Sequence, residues 1–101
     1  MYNDMIYTGE NPYNILSRLK DKCIEISYVA DNGKQTRSNT YFVCTVDKEN
    51  VFVKETIFNH ALQKLVPDGS QFSIPLEKIR VIGEEDHIYM FKKKSSMSKI
   101  K

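Results

Sequence analysis

The sequence predicts a mainly β protein: a small, strongly bent antiparallel barrel of five to six strands, preceded by a short helix. Three observations carry this expectation. Residues 23–29 alternate, with Ile24, Ile26 and Tyr28 on one face and Glu25 and Ser27 on the other. Asn32-Gly33 follows at once, and both residue types tolerate the positive φ that a hairpin turn needs. Short apolar runs separated by polar turns then recur along the rest of the chain. A length of 101 residues fits one domain, taken as residues 1–91, followed by a flexible basic tail over residues 92–101.

The first ten residues carry no clear period. Asn11-Pro12 reads as a helix start, with Asn11 as N-cap and Pro12 at the first helical position. Ile15, Leu16 and Leu19 then share one apolar face of a helix over residues 11–20. Two turns are unstable alone, so the helix must lie on the sheet. The strand returning from Asn32-Gly33 covers residues 35–46, polar at first and apolar on both faces from Tyr41 to Val46. Asp47-Lys48-Glu49-Asn50 makes a turn and Val51-Phe52-Val53-Lys54 opens the next strand.

Residues 59–69 break the pattern. Ala61, Leu62 and Leu65 suit one helical turn, and Pro67-Asp68-Gly69 reads as the turn that ends it. An α+β sheet with two helices competes with the barrel if residues 58–66 form a longer helix. Strand character resumes at Gln71–Ile74, Pro75-Leu76-Glu77-Lys78 reads as a tight 3₁₀ turn, and strands follow at residues 79–82 and 87–91.

Charge is unevenly placed. From residue 92 onward the chain holds Lys92, Lys93, Lys94, Lys99 and Lys101 and no acid, which leaves ten basic against thirteen acidic side chains before it, a net of −3. Any polyanion would therefore be met chiefly by the tail, while Ser95, Ser96 and Ser98 also suit a merely solubilising terminus. No apolar run approaches the roughly 18–20 residues that span a bilayer, and no secretory signal is legible. The expectation is a cytoplasmic protein with no membrane partner. Cys23 and Cys44 fall in strand-like runs without metal-ligand spacing and read as buried free thiols.

The order of elements resembles the Sm-like family (LSm and Hfq proteins). The likeness lies in Asn11-Pro12-Tyr13-Asn14-Ile15-Leu16 leading into the strand at residues 24–28, and in Phe72-Ser73-Ile74-Pro75-Leu76-Glu77-Lys78-Ile79-Arg80-Val81-Ile82 near the end. It implies an SH3/Sm-like barrel, self-association and RNA binding. Residues 35–46 lack the glycine that bends the second strand in that family, and Pro75-Leu76 replaces its basic closing turn. Asp47 and Asn50 are the positions that carry over from its base-binding loop, one residue closer together than the family pattern. A second likeness links residues 24–28 and Asn32-Gly33-Lys34-Gln35-Thr36-Arg37 to the first hairpin of WYL-type ligand-sensing domains, without the Trp of their signature.

Catalytic chemistry finds no motif. His60 and His87 are the two imidazoles, the four glycines are isolated, and no serine has a nucleophile-elbow setting. The reading is therefore no enzyme, no cofactor and no metal. Tyr13, Phe42, Phe52, Phe58 and Phe72 are expected mostly in the core. An exposed Tyr41 beside the cations Arg37 and Lys54 would suit stacking on a base or nucleotide. The expected ligand set is thus Arg37, Tyr41, Asp47, Asn50 and Lys54 with the tail lysines, in a self-associating protein that binds nucleic acid or a nucleotide. The alternative is a protein-interaction module or small inhibitor of another enzyme.

Overall fold

The structure, a computed structural model, describes residues 4–7, 11–30, 32–84 and 87–91. The elements are β1 (Asp4–Tyr7), α1 (Pro12–Ser17), β2 (Cys23–Ala30), β3 (Gln35–Val46), β4 (Asn50–Asn59), β5 (Lys64–Pro75), a one-turn 3₁₀ helix (Leu76–Lys78), β6 (Ile79–Glu84) and β7 (His87–Met90). They build a seven-stranded sheet in the order β1-β7-β6-β2-β3-β4-β5. Every pairing is antiparallel except that of β1 with β7, which is parallel. Its two ends, β1 and β5, are not joined by a ladder among the described residues, so the sheet is open.

Helix α1 forms as its sequence dictates. The Asn11 side chain accepts from the Tyr13 N–H at 2.8 Å, and Pro12 occupies the first turn, where no N–H is needed. The helix is shorter than the predicted span of 11–20 because residues 18–21 turn away to reach the sheet. Asp21 takes a positive φ of 65° and donates its N–H to the Val43 carbonyl at 2.7 Å, and Val43 returns a bond to the Lys22 carbonyl at 3.0 Å. These bonds staple the helix to β3, and Ile15, Leu16 and Leu19 are buried against the sheet. Each such burial contributes roughly 1.5–3 kcal/mol, which offsets the cost of nucleating so short a helix.

The rest of the core is one face of the sheet, its inner face. Ile24 and Ile26 of β2 and Ile79 and Ile82 of β6 are buried there, as the alternation of β2 predicts. Tyr41, Val43, Val51, Val53 and Ile74 complete it from β3, β4 and β5, and Leu76 adds the 3₁₀ turn. The stretch from Tyr41 to Val46 resolves into two faces: Tyr41 and Val43 are buried inside, whereas Phe42 and Cys44 lie half-buried outside. Cys23 and Cys44 are free and half-buried rather than fully enclosed. The Asn32-Gly33 turn has φ of 57° and 86°, and the Gly33 N–H donates to the Ala30 carbonyl at 3.1 Å.

Two expectations are corrected. The early chain contains a strand, β1, that no local period announces, because its partner β7 lies some eighty residues away. Residues 58–66 form no helix: β4 runs on to Asn59, a turn occupies residues 60–63, and β5 starts at Lys64. Pro67-Asp68-Gly69, expected as a turn, sits inside β5. The register moves from Val53↔Phe72 to Glu55↔Asp68, so three residues, 69–71, bulge opposite Lys54 alone. Gly69, at φ 83°, supplies the backbone freedom this bulge requires.

Candidate functional site

The five sequence-predicted ligand residues do not converge. Arg37 is exposed on β3, opposite Tyr28 of β2. Asp47 and Asn50 lie past the other end of the same strand, ten residues on, or roughly 30 Å of extended chain. Lys54 is half-buried on the outer face opposite Phe42, on the other side of the sheet from Tyr41. The tail lysines, Lys92, Lys93, Lys94, Lys99 and Lys101, lie outside the described residues.

Tyr41 departs most from expectation. Its side chain is 4% exposed, so its ring has no open face on which to stack a base. It packs edge-on against Phe72, with ring centroids 5.8 Å apart, and its hydroxyl is hydrogen-bonded to Tyr28. Burial, that hydrogen bond and the neighbouring Glu55 push its pKa up to about 12, against a smaller opposing pull from Arg37. Alternation correctly placed Tyr41 beside Val43, and α1 helped to close over that face.

Asp47 and Asn50 are committed to a turn. The Asp47 carboxylate accepts from the N–H of Glu49 at 2.9 Å and of Asn50 at 2.8 Å, and the Asp47 N–H donates to the Asn50 carbonyl at 2.9 Å. The two backbone donors hold the Asp47 pKa below the usual carboxylate range. Among the described residues no group of three or more His, Cys, Asp or Glu is placed to hold a metal ion.

A different surface stands out. Among the described residues, the large apolar side chains left exposed are Ile57 (53%), Phe58 (43%), Leu62 (58%) and Leu65 (38%), all at one end of the β4–β5 hairpin. Ile57 pairs with Val66 and Phe58 with Leu65. Adjacent pairs point to opposite faces of a ladder, so the hairpin end is apolar on both faces as well as at its turn. Phe58, expected in the core, belongs to this exposed group, and its ring meets that of His60 edge-on at 5.0 Å.

The turn is closed by side chains rather than by Gly or Pro. The Asn59 side chain accepts from the Leu62 N–H at 2.9 Å, and the Gln63 amide donates to the His60 carbonyl at 2.8 Å. Gln63 absorbs the reversal at φ 56°. The start of β5, next to the turn, is tied back to the body, since the Cys23 thiol lies 3.9 Å from the Leu65 carbonyl. Burial raises the Cys23 pKa, and the Lys64 cation beside it opposes the rise.

Sequence reasoning passed over Ile57 and Phe58 because a turn was assigned beyond them. The available signal was an apolar pair of both parities, 57–58, facing another, 65–66, across six residues. No family model matches the chain, and no curated protein or solved structure matches it either.

Proposed function

We propose that this protein is a non-catalytic binding protein that works by surface docking, with the end of the β4–β5 hairpin as its contact element. The carrying observation is that Ile57, Phe58, Leu62 and Leu65 are all exposed at one end of the β4–β5 hairpin while the inner sheet face is filled. Contiguous apolar surface of this kind marks interaction sites more often than ordinary solvated surface. The sheet is read as a strongly curled, barrel-like support for that element. This reading draws on the bulges in the β3–β4 and β4–β5 ladders and on the contact between the starts of β2 and β5.

The nucleic-acid reading rests on a separate observation, the five lysines and no acid of residues 92–101. The two readings part in one experiment on material that co-purifies with the full-length chain. Docking through the hairpin predicts that the Ile57→Ser, Leu62→Ser double variant loses its bound material at unchanged thermal stability. Polyanion binding predicts that the double variant retains nucleic acid, whereas removal of residues 92–101 releases it. Bound material indifferent to the double variant would overturn the docking reading.

A further inference from the structure

The docking reading leaves the partner's chemistry open, and the hairpin end itself narrows it. From Thr56 to Pro67 the chain holds twelve residues without one Asp or Glu, in a body whose first 91 residues carry a net of −3. The acids nearest in sequence, Glu55 and Asp68, face each other across the ladder at the base of this segment. Four ladder steps separate that pair from Asn59↔Lys64, about 14 Å along the strands. Cations stand by the start of β5: Lys64 lies within electrostatic reach of Cys23, whose thiol is 3.9 Å from the Leu65 carbonyl, and Lys22, next to Cys23 in the chain, is exposed, as are Lys20 and the acid Asp21.

Two further features bear on what covers this surface. Both faces of the hairpin and its turn carry exposed apolar side chains, where one rigid protein surface would need only one face. Two of the turn's backbone groups are also bonded to its own side chains, Leu62 N–H to Asn59 and the His60 carbonyl to Gln63. A backbone that satisfies its own donors and acceptors is what a low-dielectric surrounding demands. A second copy meeting this one tip to tip would bring the same cations, Lys64 and Lys22, together.

We infer that the β4–β5 hairpin end is a membrane-surface contact, which places Ile57, Phe58, Leu62 and Leu65 in the headgroup–acyl boundary of an anionic bilayer. This rests on the docking reading. The expectation of no membrane partner stems from the lack of a spanning-length apolar run, and a surface contact needs none. Lys64 keeps its ammonium at the headgroups while its stem lies along the apolar layer. Glu55 and Asp68 sit far enough down the arms to stay in water.

The chain has no Trp, so Leu62→Trp makes a single fluorescent reporter at an already exposed position. Full-length Leu62→Trp protein is mixed with phosphatidylcholine vesicles, with or without phosphatidylglycerol, some bearing brominated acyl chains. The expected result is a blue-shifted emission and quenching by the brominated lipid with the anionic vesicles alone. Adding Ile57→Ser and Phe58→Ser should lower that partitioning at least about tenfold, since buried apolar area sets its strength. Vesicle sedimentation with unchanged emission would mean that only the tail's charge is engaged and would overturn the inference. A concentration-dependent blue shift without vesicles would overturn it in favour of a second copy, leaving the docking reading in place. No response in either setting, together with co-purifying material indifferent to Ile57→Ser, Leu62→Ser, would remove both.

Discussion

Two hairpins of this sheet run past the core, and they are finished in opposite ways. In the β2–β3 hairpin, residues 35–39 are Gln, Thr, Arg, Ser and Asn, all exposed, with Ser27 and Ser38 hydroxyls hydrogen-bonded across the strands at 2.7 Å. In the β4–β5 hairpin, the equivalent reach holds Ile57, Phe58, Leu62 and Leu65. The arms part where Thr56 donates to the Thr40 carbonyl at 3.1 Å and the Thr40 N–H donates to the Asn39 side chain at 2.8 Å. On β3 the same architecture thus accepts a wholly polar strand end, opposite the half-buried Tyr28, Val29 and Ala30 of β2. Apolar exposure on the second arm is therefore a property of that arm's sequence and not a cost imposed by the fold.

The widest contrast should appear on truncation. Ile26, at 0% exposed, fills the inner face, and Ile26→Ala should cost about 2–5 kcal/mol in chemical denaturation. Ile57→Ala should change stability by no more than about 0.5 kcal/mol. A loss at Ile57 matching that at Ile26 would mean that the second arm is part of the core after all.

A smaller effect marks where the core ends, at Tyr41. Its phenol titrates near 10 in an unfolded chain and at about 12 when folded, so the folded state holds the proton more tightly. The associated stability is complete below pH 10 and is lost as pH rises towards 12. Thermal melts of the wild type should fall faster than those of Tyr41→Phe across that window, by at most about 3 kcal/mol in total. Parallel curves would show that the hydroxyl is solvated.

The two turns differ by less. Gly33→Val should cost on the order of 1 kcal/mol through its positive φ alone, since no atom lies within 4 Å of the added Cβ. Asn59→Ala should cost roughly 0.5–1 kcal/mol by freeing the Leu62 N–H to water. If Asn59→Ala also abolished the blue shift of the Leu62→Trp reporter, turn closure would matter to the hairpin's contact as well as to its stability.

Much of the sheet was legible in the residues. The alternation of Ile24, Ile26 and Tyr28, the Asn32-Gly33 turn and the Pro75 to Lys78 step appear where expected, because each has a local cause. Strand β1 was not legible, since four residues without alternation are specified by a partner distant in sequence. The β4–β5 turn was misread for a related reason: Pro67-Asp68-Gly69 has turn composition but serves a bulge, while the true turn is held by Asn59 and Gln63. The candidate site followed the same rule. Parity put Tyr41 on one face of β3, but whether that face was wet depended on α1, and the exposed hairpin end became recognisable only once β4 was known to continue to Asn59.

The parallel pairing of β1 with β7 has a kinetic consequence. Strand β1 completes the sheet by joining a strand some eighty residues later, so this ladder closes the largest loop among the described strands. During synthesis β1 must wait, unpaired, until β7 has emerged, whereas β2 through β5 can assemble as successive hairpins in the meantime. The ladder between Asp4–Tyr7 and His87–Met90 therefore ties completion of the sheet to the synthesis of β7, after every other strand has been made.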